Sequence, residues 1–357
     1  MRVLNYQDLL DLVDGAAIFS AGGGGDPALG YKLVDKLASQ GYAVRLVAPS
    51  EVPNDAKVVN FACVGATTTI EYDYGAAVKT LEVLEEYAGF SAYATIPVEL
   101  GGFNTLVAVD VAARCDIPVV DGDGAGRSVP EVHLKVYTID DIPLTPMVVA
   151  DLHAKNIVIA KETVDSKAAE RIARILAAEW NQSAYTARRI LTDIQVKISP
   201  IQLSLSKSML VGKLLREAVY PVKAVLKETG GFKLFEGAVD YVKRETKAGF
   251  TFINIKLHGT REYAGSTFEL RAKNEVLVAY RDGKLAAIAP DIITPVHPET
   301  GRCMTAEKIE NGDKLAILGL PAPQKWRTNR GLRLWKDVLQ RSNILEEYVP
   351  IEQLAST

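Results

Sequence analysis

Two short glycine-rich stretches hold five acidic or basic side chains whose types suit proton transfer and anion binding. PVELGGFNTL, over 97–106, carries Glu99, and PVVDGDGAGRSVPEV, over 118–132, carries Asp121, Asp123, Arg127 and Glu131. Glu99 ends an apolar strand pattern beside Gly101 and Gly102, where partial burial would tune a carboxylate toward general-base work. Arg127 can clamp a carboxylate with two parallel hydrogen bonds, or pair with Glu131 four residues on. Asp121 and Asp123 flank a glycine and offer the oxygen ligands that a hard divalent cation takes, although a solvated turn would look the same. The loop lacks the glutamate that an EF-hand needs at its twelfth position.

A third stretch, FSAGGGGDP, sets four glycines ahead of Asp26 and Pro27. Gly23 to Ala28 spell G-x-G-x-x-A, but a dinucleotide fingerprint needs a strand before it, and a helical pattern stands there instead. No nucleotide cofactor is expected. What remains of the motif is physical: glycines let backbone N–H groups converge at a helix start, where a carboxylate or a developing charge is attracted. Gly23, Gly24, Gly25, Asp26, Gly101, Gly102, Asn104, Asp121 and Glu131 are therefore expected to bind a small substrate. Glu99, Asp123 and Arg127 are expected to carry the chemistry, with Asp121 and Asp123 as ligands should a divalent metal be used.

The remaining candidates are weaker. Cys63 lies in the apolar run KVVNFACVGA and reads as a buried, inert thiol. Cys115 and Cys303 form no metal or disulfide pattern with it, which fits a reducing cytoplasm. None of the four histidines has a metal-ligand partner at a diagnostic spacing. His297, in APDIITPVHPETG, is the best placed of them. A net charge of −3 from 41 basic and 44 acidic residues gives no footprint for nucleic acid or an anionic membrane. No apolar run is long enough to span a bilayer, and acids within MRVLNYQDLLDLVDGAA do not suit a signal peptide.

The elements that must position these loops alternate. Helices are expected over Tyr6–Phe19, from Asp26-Pro27 onward, over Tyr74–Tyr87 and over Asn104–Cys115, where Asn104 or Thr105 caps. Strands are expected near Tyr42–Val47, Lys57–Val64, Ala92–Val98 and Ile117–Val120. This order predicts an α/β N-terminal domain with a mainly parallel sheet. Glu99 and Asp121 then follow the carboxyl ends of parallel strands, where open α/β sheets bind ligands. The segment His133–Asp151 reads as extended, Asn156–Ala160 as a strand, Ser166–Trp180 as a helix capped by Ser166, and Ser206–Glu228 as helical. After Gly230 the pattern shifts to short alternating runs, with YRDGKLAAI over 280–288 as a hairpin on Asp-Gly. The expected domains are 1–165 and a C-terminal α+β domain, rich in antiparallel strands, over 166–357.

Taken together, SAGGGGDP, VELGGFN, DGDGAGRSVPE, APDIITPVHPETG and LGLPAPQKWRT resemble the DUF917, or S-methyl thiohydantoin desulfurase-like, family over nearly the whole chain. The resemblance implies hydrolysis of an S-methylated thiohydantoin to the hydantoin with loss of methanethiol. It also implies work alongside a hydantoinase/oxoprolinase-type partner. Attack of water on an amidine-like ring carbon would use Glu99 or Asp123 as base, with loop amides and Arg127 as donors. Asp291, with Trp326 or Arg327, is expected to reach the site from the second domain, in a homo-oligomer. Two other readings stay open: a non-catalytic accessory subunit of such a complex, and a carboxylate-metabolite binding protein.

Overall fold

The computed structural model describes residues 1–65, 75–180, 182–247 and 249–355. The strands in chain order are β1 (Arg2–Leu4), β2 (Val44–Val47), β3 (Lys57–Gly65), β4 (Ala94–Pro97), β5 (Val119–Val120), β6 (Gly122–Asp123), β7 (Met147–Ala150), β8 (Ile157–Ala160), β9 (Ser183–Thr192) and β10 (Ile201–Gln202). Eight of them form one mixed sheet in the order β1-β2-β5-β4-β3-β9-β7-β8. Its centre, β2, β5, β4 and β3, is parallel. The two-residue strands β6 and β10 pair separately.

Helices cover this sheet because each buries an apolar side, and two of them open on clear start signals. Tyr6–Phe19 opens with a capping box between Asn5 and Asp8, and Pro27–Ser39 opens with Asp26 accepting from the Ala28 amide. Ala76–Ala88 and Asn104–Arg114 follow β3 and β4. Tyr74, where the third helix was expected to begin, lies outside the described residues. Ser166–Glu179 is capped by Asp165 rather than Ser166, since the Asp165 side chain reaches the Ala168 amide. The helical run after residue 203 is two helices, Ser204–Glu217 and Pro221–Thr229. Pro221 starts the second, as its missing N–H favours a first-turn position. The segment 133–151, expected to be extended, makes a helical turn at Val136–Ile139 and then β7.

The second sheet comprises β11 (Phe232–Lys247), β12 (Phe250–Gly259), β13 (Thr267–Lys273), β14 (Glu275–Arg281), β15 (Lys284–Ile288), β16 (Ile292–Val296) and β17 (Lys314–Leu320). It is a curled antiparallel sheet of seven strands, ordered β15-β14-β13-β12-β11-β17-β16. The hairpin between β14 and β15 turns on Asp282 and Gly283, both at positive φ, as a primed two-residue turn requires. The first sheet borrows β9 from the later half of the chain, and the helices Tyr6–Phe19 and Ser204–Glu217 pack closely enough that a Cβ on Gly15 would lie 1.7 Å from the Ser208 carbonyl oxygen. No helix among the described residues is long and apolar enough to cross a membrane.

Candidate functional site

Residues at the carboxyl ends of β3 and β4 and at the start of β14 line one cleft of about 380 Å³. One wall is the loop Gly22–Asp26, another is Val98, Glu99 and Asn104, and the second sheet and its β13–β14 and β16–β17 connections supply Asn274, Glu275, Thr305, Glu307 and Lys308. The glycines are explained by contact. A Cβ on Gly23 would stand 2.3 Å from Glu275 Oε1, and one on Gly24 would stand 2.5 Å from Gly101 Cα. Gly24 also has φ +67°, a region that disfavours other residues. Its carbonyl accepts from the amides of Phe103 (3.2 Å) and Asn104 (3.0 Å). Two glycine loops thus interlock backbone to backbone, and Gly23 leaves room for a carboxyl group to lie over it.

Glu99 is the best-anchored carboxylate of the cleft. Its Oε1 accepts from Asn104 Nδ2 at 2.7 Å, and its Oε2 from Lys135 Nζ at 2.8 Å and the Val129 amide at 3.3 Å. Asn104 in turn accepts from the Cys63 amide at 2.8 Å, which ties Glu99 to β3. Asn104 is therefore a positioning group and not a helix cap. Thr105 does not cap either, because its hydroxyl accepts from the Gly101 amide and donates to the Glu99 carbonyl. Burial pulls the Lys135 ammonium below its ordinary value, with Glu99 opposing that.

Two groups absent from the sequence-based expectations complete the cleft. Arg188 is 2% exposed, yet its Nε and Nη1 have no hydrogen-bond partner among the described residues. Burial lowers its guanidinium to about 10, while Glu99 works the other way. The register of β9 against β3 shifts beside it, with Arg189 left out of the pairing at φ +50°. A bulge of this kind re-aims neighbouring side chains. Glu275, at the first position of β14, accepts from Ser128 Oγ at 2.7 Å through Oε1, while its buried Oε2 has no partner among the described residues. Burial first, and then the Glu99 carboxylate, push Glu275 up to about 7. The signals for these residues were charges inside apolar strands, SAYTARRILT and EVLVAY.

Of the expected residues, Gly23, Gly24, Gly25, Asp26, Glu99 and Asn104 line the cleft; Gly101 and Gly102 pack behind them. Asp26 caps its helix and pairs with Lys308. The rest lie elsewhere. Arg127, fully buried, donates to the carbonyls of Ser128 (2.8 Å), Pro290 (2.8 Å) and Asp291 (2.9 Å) and lies 4.7 Å from the Trp335 ring. Asp291 accepts from Arg327, Tyr348 and the amides of Ala322 and Ile351. Trp326 donates to the Ala125 carbonyl. Asp121 holds the start of the helix Ser204–Glu217 through the amides of Leu205 and Ser206. Asp123 Oδ2 accepts from the amides of Ala125 and Gly126, both at 2.7 Å, and burial pushes it up to about 6. His297 Nδ1 faces the amides of Glu299 and Thr300. Cys63 lines the cleft, but burial raises its thiol to about 12, which leaves no thiolate at neutral pH.

Asp121 and Asp123, each committed to backbone amides, do not form a metal-binding group. The described residues that could hold a metal ion are Glu131, His133 and Glu170, all buried, with ligand atoms within 4.8 Å of one another. Glu131 is already paired with Lys273 and Arg341, and Glu170 with Arg174.

Models described as "S-Me-THD-like, N-terminal domain" and "S-Me-THD-like, C-terminal domain" match residues 7–161 and 164–336. An X-ray structure of a protein from Chromobacterium violaceum matches with a TM-score of 0.83 at 23% identity, covering 98% of this chain and 100% of that one. That likeness shows a shared fold. Among curated proteins nothing matches.

Proposed function

From the premise that the chain belongs to the S-Me-THD-like family, we propose that it hydrolyses an S-methylated thiohydantoin to the hydantoin and methanethiol. The observation that carries this reading is the pairing, in one cleft, of an anchored carboxylate, Glu99, with a buried guanidinium, Arg188, that lacks hydrogen-bond partners at two nitrogens.

Glu99 takes a proton from water as the oxygen bonds to the ring carbon that carries sulfur. The electron pair of the C=N bond moves to the ring nitrogen, where Arg188 faces the new charge with two free donors. Glu99 returns its proton to that nitrogen. The C–S bond then breaks as the carbonyl forms, so the oxygen of water ends on the ring and its two protons end on nitrogen and sulfur. Lys135 and Asn104 hold Glu99 in place throughout, which supplies the orientation that such a step needs.

No step here uses the Glu131-His133-Glu170 group. Three cations, Lys273, Arg341 and Arg174, already face its two carboxylates, which weakens the site for a divalent ion. Incubating the protein with S-methyl thiohydantoins and assaying free thiol tests the reading. Turnover that survives a chelator and falls by about 100-fold or more in Glu99→Gln is expected, since general-base catalysis contributes about 10²–10⁴-fold. Tight ligand binding without thiol release would instead favour a binding module.

A further inference from the structure

We infer that Glu275 is a second catalytic carboxyl group of the cleft, the acid that protonates the departing sulfur. The role rests on the hydrolase reading above and adds to it the partner that a lone base lacks. The geometry carries it. Glu275 opens β14, its side chain lies over Gly23 at a distance no residue with a Cβ would allow, and it lines the same cleft as Glu99. One oxygen, Oε1, is fixed by the Ser128 hydroxyl. The other, Oε2, is buried and has no partner, so a proton there has no acceptor within the described protein. A polar atom of this kind, buried beside a substrate-sized space, costs stability unless something that enters the space uses it.

The two carboxyl groups differ in their surroundings. Glu99 is met by an ammonium, a side-chain amide and a backbone amide, all donors. Glu275 has one hydroxyl, with Arg127 and Lys135 acting on it only through space, and the Glu99 charge disfavours its ionised form. Burial, acting with that charge, favours its protonated form. Carboxyl pairs whose environments separate them in this way divide into base and acid. In the collapse of the adduct, the C–S bond breaks, Glu275 gives its proton to sulfur, and it recovers one from the adduct hydroxyl as the C=O bond forms. The group returns to its starting state, and no other reactant is consumed.

The test combines turnover with a direct titration. In the wild type, kcat/KM for methanethiol release should fall on the alkaline side of about pH 7, because the rate needs protonated Glu275. Glu275→Gln should lower kcat by about 100-fold or more and lose that descending limb. Ser128→Ala removes a hydrogen bond that favours the ionised form, so the limb should move to higher pH whatever the change in kcat. Infrared difference titration in an Asp123→Asn background, which removes the other buried carboxyl raised to about 6 and needs neither substrate nor turnover, should show a protonated carboxyl band that fades near pH 7 and is absent once Glu275→Gln is added. A band unchanged by Glu275→Gln, or a limb that persists in that variant, would overturn the inference. Should Glu275→Gln not fold, a limb unmoved in Ser128→Ala would do the same. If the titrating band is present but no S-methyl thiohydantoin is hydrolysed, the hydrolase reading fails and the proton on Glu275 stands.

Discussion

The cleft and the junction between the two sheets both bury arginine and carboxyl groups, but they differ in how fully the charged atoms at their centres are bonded. At the junction, Arg127 donates to three carbonyls within 2.9 Å and stacks near Trp335, while Asp291 accepts from a guanidinium, a phenol and two amides. In the cleft, Arg188 leaves two nitrogens, and Glu275 one oxygen, without partners among the described residues. Satisfied buried charges bind a fold together, whereas unsatisfied ones beside a cavity are held in reserve for something that enters it. Unbonded buried atoms occur at the junction too, at Arg327 Nε and Trp335 Nε1, so residue type alone does not mark a site; what sets Arg188 and Glu275 apart is that they are unbonded beside a space a ligand can enter.

Substitutions at the two regions should therefore separate stability from turnover. The largest stability loss is expected for Arg127→Ala, which strands three buried carbonyls and empties the space beside Trp335. Breaking one side of such a buried network costs about 3–5 kcal/mol, measurable as a lower denaturant midpoint.

Asp123 should give a smaller and pH-dependent effect. Its folded value of about 6 lies above the ordinary 3.8. The stabilisation tied to its protonated form is complete below the ordinary value and is lost as pH rises through about 6. Asp123→Asn should therefore gain on the wild type between about pH 4 and 7, by at most roughly 3 kcal/mol at neutral pH. Unfolding curves at both ends of that range check it, and a difference that stays flat with pH would place Asp123 among ordinary surface carboxylates.

Much of the architecture was legible in the sequence because it rests on local signals. The capping Asp26-Pro27 pair, the apolar β3 and the Asp-Gly hairpin are each specified within a few residues. Glu99 was legible for the same reason, lying at the end of a strand beside glycines. Arg188 and Glu275 were not, because their meaning depends on β9 and β14, distant in sequence, arriving at the ends of β3 and β4. Arg127, Asp121 and Asp291 drew attention as charges in unusual loops. That unusual character is real, but it reports tight junction packing: the loop DGDGAGR threads beneath Pro323 and Tyr137, with Gly126 Cβ space only 2.6 Å from Pro323 and Gly124 Cβ space 2.8 Å from Tyr137.

The most direct test of this account is Arg188→Gln, with thermal unfolding and methanethiol release followed side by side. Removing an unpaired buried cation should leave stability within about 1 kcal/mol of the wild type, or raise it. Turnover should fall by about 100-fold or more. Wild-type turnover in a folded Arg188→Gln would contradict the claim that the unbonded groups of the cleft are the working ones.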